Sequence, residues 1–175
     1  PDPEFSAGGY PCGMNPAINA FRLGLVAGLV LFANHAIAQK AASMTQTAKG
    51  SFNVELKPVG EPNVHEGVTL GRMTLSKKFD GDFTGTGQGE MLSALTPVKG
   101  SAGYVAIERV DGTLHGRKGS FALQHTGTMH EGAQSLSITI VPASGTGELK
   151  GIQGVFKLTI TGGKHLYELD YTLPK

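Results

Sequence analysis

From Ser51 to Thr172 the side chains alternate between apolar and polar with a period of two, and no stretch repeats apolar residues at the spacing of a helix face. A chain patterned this way is pleated, with one face of each strand buried and the other wet. The expectation is an all-β domain. Alternation and punctuation place strands near Ser51 to Lys57, Thr69 to Phe79, Asp82 to Met91, Gly103 to Val110, Thr113 to Thr126, Ser135 to Val141, Gly154 to Thr161 and Lys164 to Thr172. Asp111-Gly112 and Gly162-Gly163 are the hairpin signals, since both suit the positive φ angles of a two-residue turn. Eight antiparallel strands joined by short turns form a meander, and closing it into a small barrel removes the edge strands. An open sandwich is the structural alternative.

Glycine placement bears on function. "ASGTGELKGIQG", Ala143 to Gly154, carries four glycines, yet a phosphate-binding loop needs a helix after its glycines, and here a strand follows. These glycines answer a backbone need for tight turns and close crossings. In "DFTGTGQGEM", Gly85, Gly87 and Gly89 share one face with Phe83 and Met91. They either let another element approach or line a cavity; Glu90 points outward if that face is the inner one and becomes a buried carboxylate with a raised pKa if the polar face is inward, and parity alone does not choose between the two.

The N-terminal part reads differently. Residues 1–13, "PDPEFSAGGYPCG", resemble a cloning-vector remnant and contain the lone Cys12. Residues 14–38 read as a secretory signal peptide, with Arg22, an apolar run from Leu23 to Ala33, and an Ala36-Ile37-Ala38 cleavage site. Export to the periplasm or the medium of a bacterium is expected. Residues 39–49 read as a flexible lead and 50–175 as a single barrel domain. From Gln39 the chain has 137 residues with 14 Lys plus Arg and 12 Asp plus Glu, without a run of like charges. That balance gives no electrostatic reason for nucleic acid or for membrane insertion after processing.

Four strings, "GRMTLSKKFDGDFTGTGQGEMLSA", "KGSAGYVAIERVDGTLHGRKGSFALQHTGTM", "VPASGTGELKGIQGVFKLTI" and "GKHLYELDYTLP", resemble an uncharacterised bacterial domain-of-unknown-function family over about Ser51 to Pro174. That family in turn resembles plant allene oxide cyclase, through the Lys-x-Phe-x-Gly-Asp order at Lys77 to Asp82 and the glycines at Ser144 to Gly154. The resemblance implies an eight-stranded antiparallel, calycin-like barrel, often trimeric, with an apolar cavity holding a few polar groups. Glu55 is the nearest counterpart of the cyclases' cavity glutamate.

Candidate site residues follow from strand parity. With Asp111-Gly112 as the turn, Tyr104, Glu108, His115 and Arg117 share one hairpin face, and Glu108 faces His115 as an acid/base pair or as a surface ion-pair ladder. Val105, Ile107 and Leu114 form the core face in this register. His125 continues the apolar phase of Phe121 and Leu123, either as a satisfied core histidine or as a functional imidazole. Tyr167 lies with His165 and Tyr171 on a mixed face suited to a cavity wall or a subunit contact. The catalytic candidates are Glu90, Glu108, His125 and Arg117, and the ligand-binding candidates are Tyr104, His115, Tyr167 and Glu55. The histidine spacing matches no ligand pattern, so neither metal nor cofactor is implied. The favoured function is binding of a small apolar molecule. Alternatives are a cyclase or isomerase acting on a reactive apolar substrate, and a structural or partner-binding envelope protein. A homo-oligomer, dimer or trimer, is possible in each case.

Overall fold

The structure, a computed structural model, describes residues 44–174; the segments read as vector remnant and signal peptide lie outside the described residues. Among the described residues there are nine strands: β1 (Gln46–Pro58), β2 (Asn63–His65), β3 (Val68–Gly81), β4 (Phe83–Leu95), β5 (Ala102–Leu114), β6 (Arg117–His130), β7 (Ala133–Ile140), β8 (Gln153–Thr161) and β9 (Lys164–Thr172). All pair antiparallel, in the order β1-β9-β8-β7-β6-β5-β4-β3-β2, and β1 also pairs with β3. That last pairing closes eight strands into a barrel and leaves β2 as a short hairpin arm. The closed eight-stranded meander is the fold that the alternation predicts.

Two expectations are corrected. Strand β1 begins at Gln46, inside the stretch read as a flexible lead, because Ala48 is fully buried between β9 and β3. The Asp111-Gly112 hairpin does not form: both residues lie within β5, and the turn falls at His115 (φ 46°) and Gly116 (φ 82°). Gly112 serves instead at a crossing, where a Cβ would come within 2.3 Å of the Thr84 carbonyl oxygen on β4. The shift inverts the reading of this hairpin, since Glu108 stands opposite Leu123 and Gly89 rather than His115. Glu108 is buried, while Val105 and Ile107 are exposed on the outer face. Gly162 and Gly163 do form the expected two-residue turn, both with positive φ.

The barrel has three levels. One end is packed solid with Phe79, Phe83, Phe121, Phe156, Tyr167 and Tyr171. The glycine loop closes this end, as a 3₁₀ turn at Gly147–Leu149 inserts Leu149 and Ile152, both with no exposure. A Cβ on Gly145 would meet the Leu149 carbonyl oxygen at 2.1 Å, so the loop's glycines serve close backbone packing. The waist holds the buried polar residues Lys77, Glu108 and His125. The other end is open. Strands β7 and β8 share only the pair Thr139 with Val155, which leaves the wall loosely laced there.

Candidate functional site

The inward residues of β3, β5 and β6 converge at the waist. Lys77 follows Leu75 and precedes Phe79 in the inward phase of β3, so its long side chain enters the lumen. Its Nζ lies 2.6 Å from Glu108 Oε2 and 4.6 Å from the centre of the Phe52 ring. His125 enters from β6 with Nε2 3.1 Å from the same Glu108 oxygen. The side chains of Lys77, Glu108 and His125 are 7%, 0% and 5% exposed. Taking a carboxylate out of water is costly unless it is paired. The ammonium supplies that pairing for Oε2, while Glu108 Oε1 and His125 Nε2 have no hydrogen-bond partner among the described residues.

Gly87 makes room for this carboxylate, because a Cβ there would fall 2.0 Å from Glu108 Oε1. Gly85 and Gly89 are needed for another reason: a Cβ on either would collide with the β5 backbone, at the carbonyl oxygens of Asp111 and Ile107. The three inward glycines thus let β5 coil tightly against β4, and only Gly87 accommodates a functional group.

Above the waist, the open end holds a cavity of about 360 Å³. Met73, Met91, Tyr104, Met129, Leu136 and Leu158 line it, with Ser93 and Gln134 among its polar groups. Such a volume and an apolar lining with a few polar groups suit one small molecule. Tyr104 lies against Gly127, whose absent side chain gives the ring its place. Burial holds the Tyr104 phenol above its ordinary value of 10.0. The next inward positions below are Leu75, Ala106, His125, Ile138 and Phe156, all buried. His125 lies one inward step of about 7 Å below Gly127, between the cup's lining and the charged pair.

Of the residues expected from sequence, the structure brings Glu108 and His125 together and sets Tyr104 in the cup. The other five lie elsewhere. Glu90 is outward and exposed on β4, hydrogen-bonded by Arg72, whose guanidinium holds the carboxyl below its ordinary value of 4.5. Arg117 is exposed at the start of β6. His115 occupies the β5–β6 turn, its Nδ1 2.8 Å from the Tyr171 hydroxyl. Tyr167 is packed into the closed end, its hydroxyl accepting from the Phe83 amide at 2.9 Å. Glu55 is exposed beside Lys57, because the inward register of β1 belongs to Phe52, Val54 and Leu56. Lys77 is the residue that sequence reasoning missed. Its signal was the phase of "LSKKF", which places a lysine between two core residues at period two.

A family model described as "Protein of unknown function (DUF3224)" matches residues 48–171. Among solved structures, the chain is similar to a protein of unknown function from the DUF3224 family of Shewanella oneidensis MR-1, whose crystal structure has 1.84 Å resolution. The two are 48% identical, the match covers 75% of this chain and 100% of the other, and the TM-score is 0.72. A search of the curated proteins finds no match.

Proposed function

This chain belongs to the DUF3224 family of proteins of unknown function, and we propose that its barrel holds one small apolar molecule in the cup at the open end. The observation that carries this reading is the division of the lumen. The closed half is filled by aromatic side chains, whereas the open half keeps a space lined by three methionines, Met73, Met91 and Met129. Methionine walls adapt to the shape of an apolar guest, and Tyr104 offers a hydroxyl to orient it. The leader-like residues 14–38 support a protein that meets its ligand outside the cytoplasm.

A titration with the fluorescent apolar probe N-phenyl-1-naphthylamine tests this directly. Saturable binding at one site is expected, and Leu158→Trp, which fills the cup, removes it without lowering the melting temperature. A probe that binds the Leu158→Trp variant as well as the parent would refute the cup. Native mass spectrometry of the protein taken from its own cell envelope then identifies the natural guest.

One observation favours a second reading as an isomerase or cyclase: beneath the cup the His125 imidazole is buried with Nε2 lacking a hydrogen-bond partner, 3.1 Å from the Glu108 carboxylate, and a buried imidazole beside a carboxylate is a group that general acid–base chemistry uses. The test is turnover of the guest. His125→Gln abolishing turnover while probe binding persists would establish it, and a guest recovered unchanged after incubation would remove it.

A further inference from the structure

Four strands place one inward row at the middle of the cup. Gly71 on β3 stands opposite Ser93 on β4, Ser93 opposite Tyr104 on β5, and Tyr104 opposite Gly127 on β6. The row therefore sets two hydroxyl-bearing side chains next to each other between two glycines. A Cβ on Gly71 would meet only the Ser93 hydroxyl, at 3.2 Å, so the space beside that hydroxyl is open to a guest. The row below holds Met73 and Met91, and the row above holds Leu95 and Met129. An oxygen bound at Ser93 and Tyr104 is thus sunk beneath an apolar lip, away from bulk water.

The three tyrosines of the lumen differ in their bonding. At the closed end the Tyr167 hydroxyl is bonded to the Phe83 backbone and the Tyr171 hydroxyl to His115 and Gln46. Burial is the only influence on the Tyr104 phenol, which has no partner among the described residues. A partly buried hydroxyl without a partner gains from a guest that supplies one. Charge limits what that guest can be. None of the side chains lining the cup is charged. Lys77, the cation that faces the lumen, lies six residues along β3 from Gly71, about 20 Å away, and Glu108 already neutralises it at 2.6 Å. A carboxylate or an ammonium at the level of Tyr104 would leave water without a counter-ion, which is strongly unfavourable. A neutral oxygen carries no such penalty.

Resting on the reading of the cup as a binding site, we propose that its guest is uncharged and carries a hydroxyl or carbonyl oxygen, which Ser93 and Tyr104 bind below the lip. A guest carbonyl accepts from both hydroxyls, and a guest hydroxyl accepts from one and donates to the other. Fatty carboxylates and alkylamines are thereby rejected, although their chains would suit the methionine wall.

Displacement of N-phenyl-1-naphthylamine at neutral pH by decanol, decanoate and decylamine, which share one chain length, tests the proposal. Decanol should displace the probe at a concentration at least about tenfold lower than either charged ligand requires. In Tyr104→Phe the affinity for decanol should fall about two- to tenfold relative to that for the probe, the worth of one hydrogen bond. Decanoate or decylamine as effective as decanol would overturn the proposal, and so would a Tyr104→Phe variant that keeps the parent's ratio of decanol to probe affinity. A probe that fails to bind the parent would instead remove the cup itself and this inference with it, so the two failures are distinguishable.

Discussion

Glu108→Leu is the most informative single change. In the parent, the Lys77 ammonium lies 2.6 Å from a carboxylate that has no exposure, and the ammonium is itself nearly buried. Removing the carboxylate strands that ammonium among the Phe52 and Phe79 rings. Breaking a buried pair from one side costs about 3–5 kcal/mol, because an uncompensated charge stays in a poorly solvating interior. With an unfolding entropy near 2.1 cal/mol/K per residue over ~130 ordered residues, the melting temperature should fall by about 11–18 °C. The double variant Lys77→Met/Glu108→Leu removes both charges and fills the same volume with apolar atoms, so it should recover most of that loss and could exceed the parent. Calorimetry of the parent, both single variants and the double variant closes a thermodynamic cycle. A Glu108→Leu cost below about 1 kcal/mol, or a double variant no more stable than the single, would refute the assignment of these groups as a buried, mutually dependent pair.

Three further outcomes follow from the same geometry. Gly87→Ala puts a methyl against Glu108 Oε1 and should cost about 1–3 kcal/mol. Most of that cost should disappear in a Glu108→Ala background, the remainder being the 3.2 Å approach to the Phe79 ring, whereas Gly89→Ala, which meets backbone, gains no such relief; equilibrium denaturation distinguishes them. Leu149→Ala in the fully buried plug should lower stability by about 2–5 kcal/mol and leave probe binding at the opposite end unchanged. Burial raises the phenols of Tyr104, Tyr167 and Tyr171 above 10.0. A folded state that keeps phenolic protons the unfolded chain releases has its full stability below the unfolded value and loses stability as pH climbs through the folded values. Absorbance at 295 nm should therefore show these tyrosines ionising above pH 10, together with alkaline unfolding, and free titration near 10 in the folded protein would contradict it.

Much of the site was legible in parity. His125 follows Phe121 and Leu123 at period two, and parity alone put it inside; parity set Glu90 on the face opposite Gly85, Gly87 and Gly89, but only the closed barrel showed that the glycine face is the inner one. Glu108 carried the same information but was read in the wrong register, because Asp111-Gly112 suits a tight turn better than His115-Gly116 does by residue type. Local preference lost there to the demand of β4, which needs Gly112 opposite Gly85, where the two backbones nearly touch. With that turn moved, Val105 and Ile107 changed from expected core to exposed surface.

The sequence by itself determined that the chain pleats, where most strands run, and which residues share a face, because each depends on a period of two and on turns a few residues long. Only the tertiary structure decided that one end of the lumen is plugged and the other hollow, and that a lysine on β3, a glutamate on β5 and a histidine on β6 meet at one point. Those facts depend on strand register and on how far the barrel coils, quantities set by contacts between residues far apart in the chain, 48 positions from Lys77 to His125 and 125 from Gln46 to Tyr171, which no local pattern encodes.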